Sequence, residues 1–275
     1  MEPRLQIAGL VYHEVTADPS ESGIQRPSAM PYKHTPRSFL KNLDAIATSP
    51  LAPCLVNDID FDQPGRYLLL TFDDGGKSAR GIGDELIKRG WKGHFLVTTG
   101  LIGRRTFLDA NGIRYLKSCG HSVGSHSHTH PDIFTHQPFE AMLQEWRMSC
   151  DILAQLLGEP CTVASVPGGH ISRAVMESAA AAGIQHVFTS EPWLVPRKVG
   201  NCRVLGRVCI KNNTPFSHVE QYARLRGWPL ALLKRRLKEA TKTMLFPLYR
   251  AYIERRRAFD QCDQGPDIGR NGCGH

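Results

Sequence analysis

The chain has eight cysteines, at positions 54, 119, 150, 161, 202, 209, 262 and 273, yet no C-x-x-C pair. That absence argues against a zinc ribbon or a thioredoxin-like redox motif, and leaves reduced thiols, mostly in a core, as the expected use of the residue. No stretch approaches the roughly 20 consecutive apolar residues that span a bilayer. The opening "MEPRLQIAGLVYHEV" also lacks a basic flank followed by a long apolar run. A secretory leader and a membrane-spanning helix are therefore not expected, and a cytoplasmic setting is. Internal repeats and long low-complexity tracts are missing as well.

What is present is material for a sizeable core. Of 275 residues, 41% are apolar and 22% charged, which suits one large globular domain or a domain with an appendage. Strand-length apolar runs, "LQIAGLVYH", "RYLLLTFDD", "GHFLVTTG", "TVASVPGG" and "HVFTSE", alternate with helical patterns such as "ARGIGDELIKRG", "EAMLQEWRMSCDILAQLLG" and "SRAVMESAAAAGI". This is α/β grammar, and it favours a parallel sheet or barrel wrapped by helices. Polar side chains should gather where the strands end. His13, Asp73, Asp74, His126 and Pro167 all fall at such ends.

Composition shifts near residue 216. From there on, twelve Lys or Arg face six Asp or Glu, so this stretch carries six of the net eight positive charges. We divide the chain into a catalytic-type domain over 1–215 and a basic helical extension over 216–275 with a frayed end. The extension has two readings. A basic amphipathic segment can attach peripherally to anionic lipid, or it can pack across the body of the domain with a solvated basic face, interrupted at Pro247. Nucleic acid is not expected, because no binding motif accompanies the charge.

Two segments carry chemistry. "LTFDDGG" ends a buried run with adjacent carboxylates, whose side chains leave in different directions. One can ligate a metal while the other stays free as a base, which suits metal-assisted hydrolysis if histidines complete the coordination. "GSHSHTHPD", residues 124–132, offers His126, His128 and His130 at alternate positions. On an extended strand all three would share a face, whereas on a helical turn only His126 and His130 would. Gly124 and Ser125 suggest a turn, and Pro131 fits the start of a short helix. In such a turn His126 and His130 can converge while His128 points away, leaving open positions for water and substrate.

"TFDDG" at Thr71 to Gly75, followed by "GSHSHTHPD", resembles the first two motifs of the polysaccharide deacetylase family, carbohydrate esterase family four. The resemblance extends through "WKGHFLVTTGLIG", "LGEPCTVASVPGG" and "AAAAGIQHVFTSEP", roughly residues 5 to 210, and leaves out the basic tail. It implies an α/β fold, a distorted (β/α) barrel of about seven parallel strands. It further implies Asp73 as general base, and Asp74, His126 and His130 as ligands of a divalent metal, usually zinc, with His128 not a ligand. The reaction implied is removal of an N-acetyl group from an amino sugar. The oxyanion would be stabilised by the metal and a backbone N–H near Gly75 or Gly76.

Two departures limit the carry-over. The family's third motif supplies an arginine shortly before its proline to orient the base, and here "ASVPGGH" has Ser165 in that place. Arg173 and Arg197 are candidate replacements, set against the commoner reading of both as solvated surface charges. The family's acid histidine normally lies on a late strand, but "RVLGRVCIKNNTPF" contains no histidine. Relatives such as the poly-N-acetylglucosamine deacetylases look circularly permuted, with that histidine on an N-terminal strand, and "GLVYHEV" offers His13. The competing reading of His13 is a hydrogen-bonded histidine at a strand end. Gly75, Pro167, Gly168, His170 and Trp193 are the candidate substrate-side positions, Trp193 because aromatic faces pack on sugar rings. His94 reads as a core or rim histidine.

The leading expectation is a metal-dependent N-deacetylase acting on a glycan or glycan precursor. The alternatives are hydrolysis of another amide, such as a formamide or cyclic amide, on the same scaffold, and a catalytically silent glycan-binding module.

Overall fold

Burial on both faces makes the apolar runs into a parallel sheet. The computed structural model describes residues 4–244. In chain order the strands and helices are β1 (Gln6–Tyr12), β2 (Glu14–Val15), β3 (Lys33–His34), α1 (Pro36–Ala47), β4 (Arg66–Phe72), α2 (Ala79–Ile87), β5 (His94–Val97) and α3 (Ala110–Ser118). There follow β6 (Ser122–Ser125), α4 (Phe139–Leu157), β7 (Val163–Ser165), α5 (Arg173–Ala181), β8 (His186–Phe188), β9 (Arg197–Val199), β10 (Cys202–Leu205), β11 (Arg207–Cys209), α6 (Phe216–Ala223) and α7 (Trp228–Met244).

The main sheet has the order β11-β1-β4-β5-β6-β7-β8-β10-β9, and every neighbouring pair is parallel except β10 with β9. Strands β10 and β11 are separated by Gly206 alone, yet β10 pairs with β8 and β11 pairs with β1 at the opposite edge. The chain itself therefore joins the β1 side of the sheet to the β8 side, with β9 alone lying beyond β10. Counting β10 and β11 as one bent strand gives seven parallel strands, the distorted barrel expected of the sequence. Only glycine fits the bend, because a Cβ on Gly206 would lie 2.3 Å from the Trp193 carbonyl oxygen and 2.5 Å from that of Glu191.

Local signals set the helix starts. The hydroxyl of Thr35 accepts from the Ser38 N–H ahead of α1, the Asp109 carboxylate accepts from Gly112 N–H ahead of α3, and Ser172 does the same for Val175 ahead of α5. Helix α1 then buries Phe39, Leu43 and Ile46, spaced along one face. Each such side chain contributes about 1.5–3 kcal/mol when fully withdrawn from water. Helix α6 belongs to the same core: Val219 and Ala223 are buried in one cluster with Leu43, Ile46 and Leu10, and so is Trp228 at the start of α7. The segment from 245 onward, including Pro247 and the end expected to fray, lies outside the described residues.

Candidate active site

The carboxylate pair sits where β4 ends. Asp73 continues the strand, its N–H donating to the Tyr12 carbonyl at 3.0 Å. Asp74 turns into the left-handed region at φ 74°, and Gly75 follows at φ 77°. A Cβ on Gly75 would also crowd Val97, at 3.0 Å from Cγ1, so both shape and dihedral call for glycine. The reversal sends the two carboxylates to different partners. Left-handed backbone is costly for residues other than glycine and persists where the surroundings enforce it. Among the described residues four non-glycine positions adopt it, and three of them, Asp74, Ser127 and His130, belong to this site.

The histidine turn is built just beyond β6. His126 Nε2 lies 3.4 Å and His130 Nε2 3.6 Å from Asp74 Oδ1, and the three ligand atoms lie within 4.8 Å of one another. His128 does not join them. Its ring pairs instead with Thr99 Oγ1 at 2.9 Å, and its carbonyl accepts from Gly100 N–H at 2.8 Å. Glu145 on α4 holds the turn from behind, accepting from the N–H groups of His128 and Thr129 at 2.8 Å each and from the Thr129 hydroxyl at 2.6 Å. No helix begins at Pro131. The Glu145 carboxylate captures the backbone donors of the turn, and the chain next curls only at a 3-10 turn, Phe134–His136.

Asp73 is held by a residue that the sequence reading did not single out. Arg207, fully buried on β11, donates from Nη1 to Oδ1 and from Nη2 to Oδ2, both at 2.8 Å, and its Nε donates to the Thr189 carbonyl at 3.0 Å. This forked grip is the geometry that guanidinium and carboxylate favour. Arg173 and Arg197 do not reach the site: Arg173 pairs with Glu177 on α5, and the Arg197 guanidinium lies 3.8 Å from the centre of the Trp193 ring. An arginine inside the apolar stretch "RVLGRVC" was the available signal, since a buried guanidinium needs a partner.

Ser165 completes the grip and links the base to the histidines. Its hydroxyl donates to Asp73 Oδ1 at 3.1 Å and lies 2.6 Å from His126 Nδ1. With the hydroxyl proton directed at Asp73, its oxygen accepts from Nδ1–H of His126. With Nδ1 engaged by Ser165, His126 turns Nε2 to Asp74, the orientation that a metal ligand requires once Nε2 has given up its proton.

The charges of these groups follow from burial and neighbours. Burial alone would raise the Asp73 carboxyl, but the charges of Arg207 and His126 outweigh it and hold it below its ordinary value. Asp74 is also raised by burial and lowered more strongly by its hydrogen bond with His126 and the nearby histidines. Burial works against a charged His126, yet Asp73 and Asp74 together lift it above the ordinary imidazole value. His130 is lowered, chiefly by burial.

His13 follows β1 at the same end of the barrel. Burial lowers it, and the charges of Asp74 and Asp73 oppose that shift. Its ring centre lies 4.8 Å from that of Tyr32. The next residue, Glu14, accepts hydrogen bonds from Ser22 and Ser78 and is pushed up to about 7 by burial, pinning the segment that carries Tyr32 to the start of α2.

The remaining sequence candidates divide. Pro167 and Gly168 lie in the loop leaving β7, just after Ser165, with Gly168 exposed at φ 67°. His170, in the same loop, turns towards α7, where its Nδ1 lies 3.2 Å from the Arg235 guanidinium. Trp193 is not brought to the Asp–His–His group. It packs on the outer apolar cluster of Val175, Ala179 and Val204. His94 is buried, with Nδ1 on the Leu70 carbonyl and Nε2 accepting from Val56 N–H, and it has no contact with the site.

Comparison with known proteins agrees with this geometry. The polysaccharide deacetylase family model matches residues 61–187, a span that includes Asp73, Asp74, His126, His130 and Ser165 but neither His13 nor Arg207. Among solved structures, the deacetylase PplD of Streptococcus pyogenes, determined with acetate, is 20% identical with a TM-score of 0.65, covering 80% of this chain and 99% of its own. IcaB from Ammonifex degensii is 21% identical with a TM-score of 0.64, over 80% of this chain and 97% of its own. A polysaccharide deacetylase from Bacillus cereus is 19% identical with a TM-score of 0.66, over 79% and 69%. At these identities the likeness speaks for the fold. No curated protein sequence matches the chain. Over the residues that form the site the chain is similar to the polysaccharide deacetylase family, and beyond them it shares the fold of these solved deacetylases.

Proposed function

We propose that the chain is a metal-dependent hydrolase that removes the N-acetyl group from an amino sugar in a glycan or glycan precursor, with water consumed and acetate and a free amine released. The observation that carries this reading is the division of labour in the carboxylate pair: Asp74 faces two imidazoles, while Asp73 is held apart by Arg207 and Ser165. Asp74, His126 and His130 fit a divalent ion, because they bring two imidazole nitrogens and a carboxylate oxygen within 4.8 Å of one another. Zinc matches such a three-ligand catalytic set. When bound, the ion would polarise the acyl carbonyl and acidify the attacking water.

The chain's own groups do the rest. Asp73, anionic through the Arg207 charge, accepts the proton of the attacking water, and Arg207 and Ser165 keep its oxygens from turning away. An N–H at Gly75 or Gly76 supports the oxyanion. His13, the proposed acid, gives its proton to the departing nitrogen. That proton balances the one Asp73 takes from the water, and the neighbouring Asp74 and Asp73 carboxylates favour the charged imidazole against the effect of burial. Gly168 and Pro167 are the proposed contacts for the sugar.

The test is metal content and acetate release measured on the same samples of wild type, Asp74→Ala, His130→Ala and His128→Ala. About one metal per chain in wild type and His128→Ala, lost from the other two together with acetate release, supports the reading. Metal without acetate release from any N-acetylated sugar would transfer it to another acyl group, such as a formamide. A folded wild type that holds no metal would leave a silent glycan-binding module.

A further inference from the structure

Helix α7 carries an apolar stripe on the side that faces away from the protein. Trp228, Leu232, Arg235 and Glu239 face the body, buried or half-buried. Arg235 fastens the helix to the rim of the site, its Nε on the Glu191 carboxylate and its guanidinium beside His170, both at 3.2 Å. These two partners lie on the loops that leave β8 and β7, the strands whose ends supply Thr189 and Ser165 to the Asp73 cluster. The opposite side of α7 carries Leu230, Leu233 and Leu237, exposed at 56%, 53% and 60%. Spaced three and four apart, they form one stripe. Lys234 and Arg236, both exposed, lie on either flank of it.

A helix packed on a globular domain normally has its leucines inward and its charges outward. Here a salt bridge lies beside Trp228 and Leu232 on the inward side, and Leu230, Leu233 and Leu237 face out between basic flanks. That is the arrangement of a helix lying in a lipid interface, with apolar side chains in the acyl boundary and cationic ones among the headgroups.

We propose that α7 docks on a surface of anionic phospholipid through Leu230, Leu233 and Leu237, with Lys234 and Arg236 on headgroup phosphates. Because Arg235 ties the same helix to the loops that leave β7 and β8, the docked helix stays attached to the rim of the site. The proposal does not depend on which acyl group the site removes. Charge favours lipid over a second copy of the chain: residues 228–244 hold five Lys or Arg and one acidic residue, so self-pairing would set like charges against each other. Among the described residues no helix is long and apolar enough to cross a membrane, and the contact lies in the plane of the interface.

The experiment is co-sedimentation of the full-length protein with vesicles of phosphatidylcholine alone or mixed with phosphatidylglycerol, at low and high salt. Circular dichroism and light scattering on the same samples report fold and oligomeric state. The expected result is salt-sensitive binding to the anionic vesicles, about tenfold weaker in Leu233→Ser/Leu237→Ser, and weaker with a flatter salt dependence in Lys234→Gln/Arg236→Gln. The proposal is overturned if the double leucine variant binds as wild type does, which would assign binding to residues beyond 244. It is equally overturned if wild type ignores anionic vesicles, whether it is a monomer with the stripe covered by its own chain or a dimer that the leucine variant dissociates.

Discussion

Arg207 holds both carboxylate oxygens of Asp73 from a position 134 residues further along the chain, at 2.8 Å on each side. Both residues are nearly or fully buried, at 0% and 5% side-chain exposure, so neither charge has water to fall back on. Arg207→Lys keeps a cation but loses the fork. It should lower kcat by about tenfold to a hundredfold, the worth of one charge-assisted hydrogen bond, with little change in KM. Arg207→Met leaves the carboxylate uncompensated and should cost about 3–5 kcal/mol of stability, read as a lowered Tm.

Ser165→Ala removes the oxygen shared by Asp73 and His126 but leaves the Arg207 fork intact. The expected outcome is a loss in metal affinity of about tenfold or more, through the freed His126 tautomer, and a smaller loss in kcat than in Arg207→Lys. Equilibrium metal titration beside steady-state kinetics separates the two. If kcat fell with metal affinity unchanged, the link to His126 would carry no weight.

Glu145 touches neither ligand ring, yet it holds the backbone between them. Glu145→Ala strands the N–H groups of His128 and Thr129 and should weaken metal binding by about tenfold, with the 1:1 stoichiometry kept at saturating metal. Isothermal titration would show the change as a shift in Kd. Asp74→Ala should abolish the site outright.

Metal affinity should also depend on pH in a particular window. Because Asp73 and Asp74 raise His126 above the ordinary imidazole value, protons compete for it before they compete for a free histidine. Protonation removes a ligand, so affinity is full above that raised value and declines as pH falls through it, while the lowered Asp74 stays ionised throughout. Zinc titrations from about pH 8 down to about pH 5 should show the decline starting above the usual histidine midpoint. Constant affinity down to the midpoint of an ordinary histidine would contradict the assignment.

The barrel was legible because each strand is a short apolar run ended by a polar side chain, and a parallel sheet buries such runs on both faces. "TFDDG" and "GSHSHTHPD" were legible for a related reason: their geometry is local, set by one left-handed aspartate and one turn. Arg207 was not, since its role arises only when β11 comes beside β1, and nothing within "LGRVC" names a partner on β4. Ser165 could be noticed as a missing arginine but not as a bridge, because a hydroxyl's partners depend on where two other strands end. The inward face of α7 is likewise not visible in composition. A single ion pair between Arg235 and Glu191 helps turn the leucines outward.

The bend at Gly206 has a bearing on how the molecule assembles. The chain from β1 to β8 includes every metal ligand, the base and the whole span matched by the family model, yet the arginine that grips the base arrives only with β11. A nascent chain folded as far as Leu205 would enclose that anion without its principal cation, a state that the surrounding apolar layers support poorly. Stable burial of Asp73 therefore waits for the last strand of the ring, so a truncation just before Arg207 should behave as a loose, protease-sensitive chain despite retaining each ligand.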